Sequence, residues 1–119
     1  MSKIRRDKDF LLDIQDAIDR ILEYTNGMLW EVYLRDHKTQ DAVVHNLEVI
    51  GEATKNLSNE FREQHSEIPW RNMAGTRDRL THNYFGINQE IVWQIVEQDL
   101  PGLKSQIEQM IRAFPEGDS

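Results

Sequence analysis

The chain has 119 residues, 39% of them apolar and 29% charged, with a net charge of −7 and no cysteine. That length suits a single domain over 1–119 with its own core, and the missing cysteines exclude disulfides, thiol nucleophiles and thiolate metal sites. The acidity argues against nonspecific binding along a nucleic-acid backbone, which needs a basic surface.

The first residues, Met1-Ser2-Lys3-Ile4-Arg5-Arg6-Asp7, are basic with no apolar run behind them. They do not read as a signal peptide. No stretch approaches the ~20 apolar residues that span a bilayer, so a cytoplasmic protein without membrane contact is expected. Phe10, Leu11, Ile14, Ala17, Ile18, Ile21 and Leu22 recur at three and four residues and predict a first helix. Asn26-Gly27 ends it. Met28 to Arg35 is either a short helix or an ordered connection. Thr39 is the expected N-cap of the next helix, with Asp41 in its first turn. Val43, Leu47, Ile50, Thr54, Leu57 and Phe61 carry that helix on at helical spacing.

Gly51 interrupts this helix where alanine would be more stable by about 1 kcal/mol, which suits a close approach of two helices. Glu52 beside it reads as part of a solvated face. Pro69 fits the first turn of a helix from Trp70 toward Tyr84, with Gly86 as its stop. Asn88 caps a segment bearing Ile91, Val92, Ile95, Val96 and Leu100. Pro101-Gly102 is expected to bend the chain. Leu103, Ile107, Met110, Ile111 and Phe114 form a last stripe, and residues 115–119 a frayed tail. The expected architecture is an all-α, up-and-down bundle of four to five main helices plus a short one.

Chemistry concentrates in Arg71-Asn72-Met73-Ala74-Gly75-Thr76-Arg77-Asp78-Arg79-Leu80-Thr81-His82-Asn83-Tyr84-Phe85. From Ile68 to Phe85 three arginines stand against one aspartate, a net of +2 in a chain of −7, so the remainder carries −9. An anion, if bound, belongs here. Arg77 offers a permanent forked cation, His82 a proton exchanger near neutrality, and Tyr84 a phenol. On an ideal helix Arg77 and His82 stand about 140° apart. Asp78 and Arg79, four and three residues before His82, share its face. A loosened helix, a wrapped arginine, or a cleft shared by two chains would each bring Arg77 and His82 together.

The run Arg77, four residues, His82, one residue, Tyr84, with Asp78 after the arginine, resembles the HepT-type HEPN-domain proteins, the DUF86 family. Thr39-Gln40-Asp41-Ala42, Ile50-Gly51-Glu52-Ala53, Val92-Trp93 and Leu100-Pro101 extend the resemblance over nearly the whole chain. It implies the toxin of a type VII toxin–antitoxin pair: a homodimeric, metal-independent endoribonuclease acting on tRNA or mRNA, with no cofactor. It implies Arg77 on the scissile phosphate and His82 as general base or acid, with Asp78 and Arg79 in support. It further implies that Tyr84 is AMPylated by the partner antitoxin, a minimal nucleotidyltransferase of the MntA type, and that dimers can assemble further. The competing reading is a noncatalytic helical module that binds a nucleotide or a nucleotidyltransferase. His37, His45 and His65 have no paired spacing, and Asp41 with His45 makes two ligands, too few for a metal site. Trp30, Trp70 and Trp93 read as core or interface aromatics.

Overall fold

The computed structural model describes residues 6–81 and 86–115, and of Arg77, Arg79 and Thr81 the backbone. The regular structure there is entirely helical, as expected. It comprises α1 (Asp7–Thr25), α2 (Trp30–Arg35), α3 (His37–Asn56), α4 (Asn59–Gln64), α5 (Trp70–Ala74), α6 (Thr76–Thr81) and α7 (Gln89–Gln94). A π-helical turn over Ile95–Asp99 then leads into α8 (Leu100–Ala113).

The first stripe packs as its spacing demands: Leu11, Ile14, Ala17, Ile18 and Ile21 of α1 are buried. Opposite them α3 contributes Val43, Leu47, Ile50 and Ala53, and α8 contributes Leu103, Ile107 and Met110. Burying each such Leu or Ile side chain contributes about 1.5–3 kcal/mol. The Asp7 carboxylate at the start of α1 accepts from the N–H and the hydroxyl of Ser58, both at 2.8 Å, just beyond the end of α3. The two long helices therefore run antiparallel. Lys104 of α8 meets Asp19 of α1 at 3.2 Å. The buried polar side chains of Thr25, Asn46 and Thr54 each bond a carbonyl four residues back, which avoids the cost of unmet hydrogen bonds in the core.

The sequence leaves Met28–Arg35 open between helix and connection; its residues Trp30–Arg35 form α2, and Leu29 stands before it in an extended conformation. Four further expectations are corrected. Asp36, rather than Thr39, caps α3: its carboxylate accepts the Thr39 N–H at 3.0 Å and the Thr39 hydroxyl at 2.7 Å. Those two bonds hold the Asp36 carboxyl below its usual range. The stripe through Phe61 is not one helix. Leu57 turns extended, with ψ 142°, and Ser58 starts α4 by accepting the Phe61 N–H. The expected helix from Trp70 divides at Gly75, whose φ of −92° and ψ of 17° separate α5 from α6. Pro101-Gly102 does not bend the chain, since helical structure continues from Gln89 to Ala113. The Leu100 N–H reaches back five residues to the Ile95 carbonyl. This widened turn falls where the proline has no N–H to give and its ring crowds the carbonyl four residues before it.

Gly51 does permit close approach. A Cβ there would stand 3.1 Å from the Met73 carbonyl oxygen of α5 and 3.9 Å from Thr76 Cβ. Gly102 lies in α8 with nothing within 4 Å of an added Cβ. Gly51→Leu should thus lower the unfolding free energy by about 1–3 kcal/mol through overpacking. Gly102→Ala should raise it by about 0.5–1 kcal/mol through helix propensity. Urea denaturation followed by circular dichroism measures both, and equal stability of the two variants would contradict the packing at Gly51.

Candidate functional site

The arginine-bearing segment is seated by three contacts. Met73 is buried under α5, and its carbonyl faces Gly51 of α3. Thr76, 7% exposed, opens α6 and donates its hydroxyl to the Met73 carbonyl at 2.6 Å. Leu80, fully buried, fixes the inner face of α6. Arg77, Asp78 and Arg79 follow Thr76 on this short helix, and Asp78 is exposed.

The Leu80 carbonyl accepts the Asn88 N–H at 3.0 Å, so the chain on either side of residues 81–87 is tied together. Asn88 then caps α7, its side-chain oxygen accepting from Glu90 N–H and Ile91 N–H at 3.0 and 3.2 Å. Gly86 adopts a φ of +86°, a conformation that costs a side-chain-bearing residue but not glycine. His82 and Tyr84 lie outside the described residues, as do the side chains of Arg77 and Arg79. The angle from Arg77 to His82 and the shared face of Asp78, Arg79 and His82 lie there too.

Beside α5 and α6, Glu48, Glu52 and Lys55 of α3 line a small polar cleft of about 110 Å³ with Ala74 and Thr76. The Glu52 side chain is 73% exposed and stands 3.9 Å from Lys55, so it belongs to a solvated face as its position suggests. Arg71 is also exposed, on the same segment as Asp78.

A second support went unread in the sequence. Tyr33 of α2 is fully buried, and its hydroxyl donates to Gln89 Oε1 at 2.6 Å. Gln89 is the first residue of α7, next to the cap. The Tyr33 ring packs on Trp93 with centroids 4.7 Å apart, and Trp30 lies 6.2 Å from both rings. Gln40 sends its amide to the carbonyls of Tyr33 and Leu34, meeting acceptors left over at the end of α2. Trp70 is buried, its indole N–H donating to the His65 carbonyl. The tryptophans are packing residues, as expected, with Trp30 and Trp93 half-buried. The break at Gly75 also escaped the sequence reading, though glycine followed by a hydroxyl residue is a helix-stopping pair.

Burial, with a smaller contribution from Asp41, pushes the Tyr33 phenol well above its usual value of 10.0. The folded state therefore holds the proton more tightly than the unfolded chain. The resulting stability is complete below pH 10 and declines as pH rises beyond it. Tyr33→Phe should lower stability at pH 7 by about 1–2 kcal/mol, by leaving Gln89 without its donor. It should also flatten the loss of stability above pH 10, which chemical denaturation at a series of pH values measures.

A family model described as "Ribonuclease HepT-like" matches residues 14–110. The chain is 48% identical over 106 residues to "Probable ribonuclease HepT" of Thermococcus cleftensis, covering 89% of this chain and 96% of that one. It is 47% identical over 103 residues to "Putative RNase MJ0127" of Methanocaldococcus jannaschii, covering 87% and 85%. No solved structure matches.

Proposed function

The chain belongs to the HepT-like ribonuclease family, and from that premise we propose that it is a metal-independent endoribonuclease and the toxin of a toxin–antitoxin pair. The observation that carries this is the run from Arg77 through His82 to Tyr84. It lies wholly within the matched residues 14–110, in a net-positive stretch of an acidic chain.

In this reading one imidazole takes the proton of a ribose 2′-hydroxyl, and the freed oxygen attacks the adjacent phosphorus in line. The bond to the 5′-oxygen breaks, that oxygen gains a proton, and the products are a 2′,3′-cyclic phosphate and a 5′-hydroxyl. His82 is the group for proton transfer, with an ordinary pKa of about 6.5 that serves either direction. Arg77 binds the phosphate and offsets charge that grows in the transition state. Asp78 and Arg79 act in support. A homodimer supplies a second histidine, so that one copy serves as base and the other as acid. The substrate is tRNA or mRNA.

Tyr84 is the site at which a minimal nucleotidyltransferase antitoxin attaches AMP. The adduct adds negative charge and bulk next to the arginines, which opposes the approach of RNA phosphate. The net charge of −7 favours a second reading, a helical binding module for that partner without catalysis.

Purified protein free of any adduct should cleave RNA in EDTA. His82→Ala should reduce the rate by about 10²–10⁴-fold, the usual contribution of a general acid or base, and Arg77→Ala should also abolish most activity. Wild-type rates in His82→Ala would sink the catalytic reading and leave the binding module. Intact mass after incubation with the nucleotidyltransferase and ATP should rise by one AMP in wild type and not in Tyr84→Phe.

A further inference from the structure

A cavity of about 450 Å³ opens between α3, α5, the π turn and α8. That volume falls within the ~300–1,000 Å³ of small-molecule sites. Its floor is aliphatic, formed by Leu47, Ile50, Ile95 and Leu103, all buried. Its rim carries the carboxamides of Asn72, Gln98 and Gln106, all three exposed. Among the described residues these three side chains form no hydrogen bond. Thr76 stands in the wall, and Arg77 is the next residue along. The π turn supplies Ile95 and Gln98, so the widened helix that accommodates Pro101 also shapes this wall.

These features match one kind of ligand. Aliphatic walls accept the flat face of a heteroaromatic ring. A carboxamide presents donor and acceptor together, as base edges require. The charged residue among the described lining is Asp99, an acid, so the described lining offers a phosphate no cation. Two arginines stand one residue from the lining, Arg71 before Asn72 and Arg77 after Thr76. A nucleotide placed with its base inside would thus direct its phosphate outward, toward the start of α6. We propose that this cavity binds a base of the RNA next to the scissile phosphate and sets the base preference of cleavage. The assignment rests on the ribonuclease reading above and names the part of the substrate that the site selects.

Gly102 offers the test, because it lies in the cavity wall with open space around an added Cβ. Gly102→Phe should fill the cavity without displacing core side chains. RNA oligonucleotides differing only in the bases on either side of the cut should show a preference with wild type. For the preferred oligonucleotide, KM should rise roughly tenfold or more in Gly102→Phe with kcat little changed, the sign of lost binding rather than lost chemistry. Gln106→Ala leaves the fold untouched and should alter the order of preference even if the phenylalanine variant fails to fold.

Wild-type KM and preference in both variants would overturn the proposal. So would a Gly102→Phe protein whose mass by light scattering changes while its cleavage does not, since the cavity would then be a contact between copies. If wild type cleaves no RNA, the ribonuclease reading fails by itself. The cavity is then decided by titrating 5′-AMP, GMP, CMP and UMP at millimolar concentration into His82→Ala protein. NMR shifts at the methyls of Leu47, Ile50 and Leu103 support a base site, and unmoved methyls exclude it.

Discussion

At Gly51 the backbone of α5 lies so near α3 that a side chain there would stand 3.1 Å from the Met73 carbonyl. The placement of the arginine-bearing segment follows from this approach. Because α5 sits against α3, Thr76 is buried and reaches the Met73 carbonyl with its hydroxyl. Its helix then starts at a defined point on the surface of the bundle. A bulkier residue at position 51 would push α5 outward and carry α6 with it. The helix-propensity cost of a glycine inside α3, about 1 kcal/mol, is offset by the seating of the segment that holds Arg77.

The other side of the segment is secured by different chemistry. Leu80 and Asn88 share a backbone hydrogen bond, Asn88 caps α7, and the buried Tyr33 hydroxyl grips Gln89. Buried hydrogen bonds of this kind are costly to leave unmade, so α7 is held in one position relative to α2. Residues 81–87 are thereby attached at both ends to rigid parts of the bundle. The metal-independent ribonuclease proposed above relies on proton transfer between well-placed groups and on electrostatics, and fixed flanks would serve that need.

Charge divides the molecule in a related way. The segment 68–85 is net positive within a chain of −7, so the proposed attraction for an RNA phosphate would be local, not spread over the surface. An affinity concentrated on a few arginines can be cancelled by a modest change of charge nearby, which is the effect proposed for AMP on Tyr84. The aliphatic cavity beside Arg77 has the opposite character. In the base-site proposal it takes the base while the arginines take the phosphate, so the two together would distinguish the parts of a nucleotide.

The sequence by itself determined the helical stripes, because a repeat of three and four residues leaves one face apolar whatever surrounds it. Leu11, Ile14 and Ile18, or Leu103 and Ile107, could have no other destination than a core. It also determined the cap at Asn88, the role of Gly51 as a point of approach, and the family, through a motif whose spacing belongs to the chain alone. Only the tertiary structure decided where those stripes are cut. The spacing of Leu57 and Phe61 continues that of α3, yet Ser58 and Asp7 break the helix between them through a contact across 51 residues of sequence. The π turn before Pro101 is equally invisible, since a proline can end a helix or be absorbed by it. The packing of α8 against α1 favours absorption. Tyr33 with Gln89, and the cavity beside Thr76, unite residues from distant helices. Such pairings depend on how the helices cross, which a pattern along one helix does not encode.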